Sequence, residues 1–332
     1  MLPNFGCVRY IRMIRERQWI IKDSNMRMRV ASLTLFLFGS FFISPRAQMS
    51  KDTVVFLPDG SYRVSSGPTS IVVSPSEGGR ITSFMQTGYD FLTDKKIHPE
   101  NYGSTFWPSP QSIWNWPPPP VLDNQPYSAA VDGDTIVLNG GSDPVTGLRF
   151  TKKIFPDGNG RMTIVYSMAN TADTAIHVAP WEVTRVHKGG VLFFPLGEGS
   201  VVNKNFGPVP AEVTDGIVWY KDSVARPAEN ELSVADGSEG WMAYAIDGRL
   251  FVKKFADVRR ADQAPGEAEV SVYVSAVADY IEIETQGSYS SISRGNQVSW
   301  RMNWIAADIP SGISVSSGNM RLVDFARNVA GK

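Results

Sequence analysis

The chain has 332 residues, a formal net charge of −1 and 42% hydrophobic residues, enough apolar material for one large all-β domain or two smaller ones. A charge so close to neutral provides no basic face for nucleic acid, which sets that class of partner aside. Cys7 is the only cysteine, so an intrachain disulfide and a cysteine metal cluster are both excluded.

Met26-Arg27-Met28-Arg29 precedes an apolar run from Val30 to Ile43, the charged start and short core of a secretory signal, with a cut expected after Ala47. The run is short for a bilayer span, and no stable span is expected after cleavage. Pro45, two residues before that cut, keeps an uncleaved anchor as the alternative. The segment ahead of Met26 is Arg-rich, contains Trp19-Ile20-Ile21 and fits no signal pattern. Met26 or Met28 is therefore the expected start, residues 1–47 a signal with a spurious upstream extension, and 48–332 a single domain. A monomer, secreted or periplasmic, is expected.

From Thr53 onward short β-rich runs alternate with Gly, Pro, Asp and Ser clusters, and almost no helical period occurs. Strands are expected over 70–74 and 80–85. Next comes Tyr102-Gly103-Ser104-Thr105-Phe106-Trp107-Pro108-Ser109-Pro110-Gln111-Ser112-Ile113-Trp114-Asn115-Trp116, closed by Pro117 to Pro120. Each proline removes a backbone donor and fixes φ, so this stretch reads as a stiff loop, neither helix nor central strand. Such a loop holds its indoles at little entropic cost, and flat aromatic faces beside amides suit a ring with one apolar face, such as a sugar. Packing of the same indoles as a plug at the end of a sandwich is the competing reading.

A strand over 134–138 leads to a hairpin in which 147–155 pairs with 161–168 across the turn Asp157-Gly158-Asn159-Gly160. Met162, Ile164, Tyr166 and Met168 share its buried face. The strand over 175–186 puts Trp181 and Arg185 on one face and Glu182, Thr184 and Val186 on the other. Buried Glu and Arg are rare unless paired, so one of these faces should be wet or line a cavity. None of the three histidines, His98, His177 and His187, makes a spaced metal-ligand pair, and zinc is not expected. His187, beside Lys188-Gly189-Gly190, reads as an exposed loop residue rather than a catalytic acid.

Further strands are expected over 191–194, 240–246, 249–255, 268–275, 280–285 and 297–305, and the tail over 319–330 is either a short helix or an edge strand. So many strands without intervening helices indicate a large antiparallel sandwich. Near the C-terminus, alternation aligns Glu267, Glu269, Ser271 and Tyr273 on one face, and Tyr280, Glu282 and Glu284 on the facing strand. Up to four carboxylates then gather on one surface. They repel unless they are solvated, neutralised by Arg or Lys, bridged by a cation such as Ca2+, or unless one keeps a proton. A solvated acidic face, a sugar-binding or proton-transfer role for Glu284, and a Ca2+ site all stay open; no other cofactor is indicated.

Gly78-Gly79-Arg80-Ile81-Thr82-Ser83-Phe84, the segment from Gly103 to Gln111 with Trp114 and Trp116-Pro117-Pro118, Trp181-Glu182-Val183-Thr184-Arg185 and Tyr280-Ile281-Glu282-Ile283-Glu284-Thr285-Gln286-Gly287 resemble secreted bacterial proteins called domain of unknown function 4380. That group is similar to the galactose mutarotase (aldose 1-epimerase) superfamily. The resemblance, over about 70–310, implies an all-β, antiparallel β-supersandwich whose concave side holds a monosaccharide or a glycan end. In mutarotases a glutamate takes the proton from the anomeric hydroxyl while a histidine protonates the ring oxygen. Glu284 matches that glutamate. Where mutarotases carry an Asn-His-x-Tyr-Phe motif this chain has Trp181 to Arg185, which leaves the acid to Glu182 or Arg185.

The first expectation is thus a carbohydrate-binding protein, with Trp107, Trp114, Trp116 and Trp181 as stacking surfaces and Arg80, Gln111, Arg185 and Glu282 as polar contacts. The second is an aldose 1-epimerase or other carbohydrate-modifying enzyme with Glu284 as base and Glu182 as a catalytic partner. A structural envelope protein, with its indoles in a dry core, is the third.

Overall fold

A computed structural model describes residues 53–331 apart from 205–206, 208 and 222–224. The expected signal over 1–47, and Cys7 with it, lie outside the described residues. Among the described residues two antiparallel sheets form, one of twelve strands and one of ten. The all-β supersandwich expected above is the architecture found. Each strand expected from the sequence is present with small shifts at its ends, and Thr53–Phe56, Tyr62–Ser66, Ser128–Asp132, Ile217–Lys221 and Glu231–Ala235 add to them.

The two sheets bury their alternating apolar faces against each other. Met162, Ile164, Tyr166 and Met168 are all buried, and the first three lie across from Trp304, Met302 and Trp300. Phe84 of the larger sheet meets Phe251 and Trp304 of the smaller at ring distances of 4.7 and 5.2 Å. The tail forms a helix over Met320–Ala330, with Asn319 capping its first turn. Leu322, Val323, Ala326 and Ala330 make one apolar stripe on it and cover Phe193, Trp219 and Trp241 on the outer face of the smaller sheet. Among the described residues no helix is long and apolar enough to cross a membrane.

The tryptophan-proline stretch corrects the sequence expectation. Its first part is no loop: Ser104–Ser109 is a fully buried strand in the interior of the larger sheet. The prolines are tolerated because Pro108 lies directly across from Pro180. A facing pair of prolines exchanges no hydrogen bonds, so both missing donors point outward. Pro108 faces an edge where Arg80–Gln86 pairs through Ile81 and Ser104 alone. Pro180 faces the gap between two partner strands, Tyr280–Gln286 and Ser290–Ile292. The outward carbonyls are still used: Pro108 O accepts from Trp114 Nε1 at 2.7 Å and Pro180 O from Gly287 N at 2.8 Å. Only from Pro110 onward does the chain leave the sheet, through a turn at Gln111–Ile113 and a short helix at Pro120–Asp123.

Candidate functional site

Three adjacent strands, Ser104–Ser109, Ile176–His187 and Tyr280–Gln286, present one face away from the inter-sheet core. In register, Trp107 is across from Trp181 and Trp181 from Gln286; Thr105 is across from Val183 and Val183 from Glu284; Arg185 is across from Glu282. Because side chains alternate with period two, all of these stand on the same face, while Phe106, Glu182, Thr184 and Thr285 point inward.

The acidic surface expected there is not solvated, since Glu282 and Glu284 are both buried. The repulsion is relieved in two other ways. Arg185, only 1% exposed, donates from Nε to Glu282 at 2.8 Å and from Nη1 to Thr105 at 2.8 Å. Glu284 instead favours its proton: burial first, then the charge of Glu282, pushes its carboxyl well above the usual range against the opposing hydrogen bond from Trp181 and charge of Arg185. The Trp181 indole closes over it, donating to Oε2 at 2.8 Å. The other two carboxylates diverge. Glu267 accepts from Gln111 N at 3.3 Å, while Glu269 turns toward Val258 N at 2.8 Å. Among the described residues no group of three or more His, Cys, Asp or Glu side chains is arranged to hold a metal ion.

A cavity of about 440 Å³ opens beside this face, with Arg80, Trp107, Asp123 and Arg185 in its wall and Trp116 and Tyr102 at its sides. Trp107, only 4% exposed, ties the wall together. Its Nε1 donates to Asp123 Oδ1 at 2.7 Å, the Arg185 guanidinium carbon lies 5.1 Å from its ring, and Trp116 meets it edge-on at 5.9 Å. Asp123 also pairs with Arg80 Nη2 at 3.3 Å, and Glu77 accepts from Tyr102 at 2.8 Å and from Lys95. The Gly78-Gly79-Arg80 motif makes this wall possible. Gly78 has φ 69°, and a Cβ there would lie 2.0 Å from the Asp123 carbonyl oxygen, so only glycine lets the short helix sit close enough for Asp123 to reach both Arg80 and Trp107.

The structure therefore brings Arg80, Trp107, Trp116 and Arg185 together around one cavity. Trp114 and Trp181 do not line it; they pack with Trp107 and Val183 in a small apolar cluster, so the plug and the ligand wall divide the indoles between them. Gln111 and Glu284 lie outside the cavity wall, and Glu282 reaches it only through Arg185. Glu182 is a correction. It sits on the opposite face with 0% exposure and pairs with Lys253 of the other sheet at 2.5 Å, with Ser104 donating to it at 2.5 Å. An inter-sheet ion pair is where alternation sends it, and no ligand on the cavity side can touch it. Asp123, Glu77, Lys95 and Tyr102 are wall residues that the sequence did not single out; Pro at the first turn of Pro120–Asp123 was the one local sign of a helix ending there.

Comparison with solved structures places the fold. A putative aldose 1-epimerase from Klebsiella pneumoniae subsp. pneumoniae matches over 82% of this chain and 85% of its own, with TM-score 0.54 and 11% identity. A galactose mutarotase-like protein from Lactobacillus casei matches over 75% and 100%, with TM-score 0.50 and 11% identity. A TPR-domain containing protein from Parabacteroides distasonis matches over 77% of this chain at TM-score 0.54 and 15% identity, and this chain spans about half of it, 48%. At these identities the likeness is one of fold, galactose mutarotase-like. No curated protein matches the sequence significantly. The family model of the domain of unknown function (DUF4380) matches residues 107–307, from the central tryptophan to the last strand, and the chain belongs to that family.

Proposed function

We infer that the protein binds a carbohydrate, a monosaccharide or the end of a glycan, in the cavity between Trp107, Trp116, Arg80 and Arg185, and that it acts outside the cytoplasm. The observation that carries this is the wall itself. The exposed Trp116 indole and the accessible part of Trp107 stand beside guanidinium and carboxylate groups in a space large enough for one or two sugar rings, the combination of apolar face and placed polar groups that a pyranose requires. The galactose mutarotase-like fold and the names of its structural neighbours agree with a saccharide as ligand. The signal-like segment from Met26 to Ala47, with its apolar core over Val30 to Ile43, supports export.

Binding is favoured over epimerisation by the state of Glu284. A general base must be ionised and within hydrogen-bond reach of the proton it removes; Glu284 is 3% exposed, lies under the Trp181 indole outside the cavity wall and is biased toward its protonated form. A titration of tryptophan fluorescence with mono- and oligosaccharides, run beside a polarimetric assay of anomer interconversion, tests the reading. Saturable fluorescence change without catalysed mutarotation is expected. Catalysed interconversion that is lost in Glu284→Gln would return the assignment to an epimerase.

A further inference from the structure

The two half-buried acids of the cavity wall are engaged by donors of the protein itself. Asp123 already accepts from Trp107 and Arg80, and Glu77 from Tyr102 and Lys95. Glu100, the remaining acid of the wall, is at the exposed rim. The guanidinium groups each keep one nitrogen without a partner, although Arg80 Nη1 donates to Glu100 O and Tyr102 O and its Nη2 to Asp123. Arg185 spends Nε on Glu282 and Nη1 on Thr105, while Nη2 is buried with no hydrogen-bond partner, and Nε of Arg80 is buried without one as well. Buried donors are nearly always satisfied, so two orphans on the cationic groups of one cavity point to acceptors that arrive with the ligand.

A neutral sugar answers this poorly. Each hydroxyl brings a donor of its own along with its acceptor capacity, and Asp123 and Glu77, the half-buried carboxylates of the wall, each already accept two hydrogen bonds from the protein. A carboxylate brings only acceptors, two oxygens in a plane, and its hydrogen bonds to guanidinium are charge-assisted. Glu282 engages Arg185 at Nε alone, and Nη2, buried at the cavity wall, makes no hydrogen bond within the protein.

We propose that the cavity selects saccharides bearing a carboxylate, of uronic-acid type, with the carboxylate on the Nη2 end of Arg185 and the sugar ring against Trp107 and Trp116. This rests on the cavity being a saccharide site. Arg185 is then the residue that sets specificity, and Arg80 adds to the field that holds the anion.

Isothermal titration calorimetry on the full chain tests it with matched pairs: glucuronate against glucose, galacturonate against galactose, short oligomers of each, and the methyl ester of each uronate. The acid is expected to bind at least about tenfold tighter than its neutral partner and its ester, the scale of one charge-assisted hydrogen bond. Arg185→Gln is expected to erase that preference, but the comparison among ligands on the unaltered chain stands whether or not the variant folds. Neutral sugars or esters binding as tightly as the acids overturn the proposal and leave the saccharide site standing. If none of these saccharides binds, the proposal and the saccharide site fall together.

Discussion

Glu284 and Trp181 show how a side chain's surroundings decide its chemistry. Folding buries the Glu284 carboxyl and lifts it above the ordinary 4.5, so the folded chain keeps a proton that the unfolded chain releases. Its contribution to stability is full in acid and is lost as pH rises from about 4.5 toward the folded value. Glu269, buried and pushed up to about 8, adds to the same slope between about 4.5 and 8. Glu284→Gln, an isostere of the protonated acid, is expected to melt with wild type near pH 4 and above it near pH 8, by thermal denaturation followed in the near-ultraviolet. A variant that melts below wild type at the higher pH would mean that an ionised Glu284 stabilises the fold. Gly78 makes a second prediction at this scale. Gly78→Ala pushes a Cβ into the Asp123 carbonyl at a left-handed position, and a loss of more than about 1 kcal/mol is expected in urea unfolding; an unchanged midpoint would show that the Pro120–Asp123 helix gives way freely. The sequence paired Trp181 with Arg185 and Glu282 with Glu284 because alternation within a strand is local. It missed Asp123, Glu77 and Lys95 because their neighbours come from packing of loops distant in the chain.

Ser104–Ser109 looked like a loop on the strength of its prolines, and the general rule failed because what matters is the edge toward which each proline's absent donor points. Two prolines facing each other can occupy a sheet interior, provided the outer edge of each strand is free at that position, and no count of prolines in one segment reveals that pairing. By contrast, Ile176–His187 was legible: its two faces differ in character, and the structure puts Trp181 and Arg185 on the cavity side and Glu182 inside. There Lys253 donates to Glu182 at 2.5 Å and to Ile283 O at 2.6 Å, joining the two sheets. Burial draws the Lys253 ammonium below its usual range and the Glu182 charge opposes that. Lys253→Ala leaves a buried carboxylate without its cation and is expected to cost about 3–5 kcal/mol, whereas the paired change Glu182→Leu with Lys253→Met should recover most of it. Unfolding midpoints of the single and paired variants check this, and equal losses in the two would mean that packing volume, not charge, governs the position.

On the scale of the whole molecule, two large sheets build a rigid support and leave function to what is laid over one face. Period-two alternation and turn residues made the all-β supersandwich legible, because nearly every strand announces itself within its own few residues. The cavity was only half legible, since its floor is strand and its walls are loops. The tryptophan cluster illustrates the division: Trp114 and Trp181 hold the support together, while Trp107 and Trp116 face the space beside it. Trp116 is 56% exposed and packs edge-on against Trp107, so removing it disturbs little of the core. We infer that this space binds sugar. Calorimetric affinities of wild type and Trp116→Ala for one saccharide ligand, with melting temperatures of both, test it most directly. An affinity reduced about tenfold or more by loss of the stacking face, with the melting temperature kept, is the predicted result; an affinity unchanged in Trp116→Ala would contradict it.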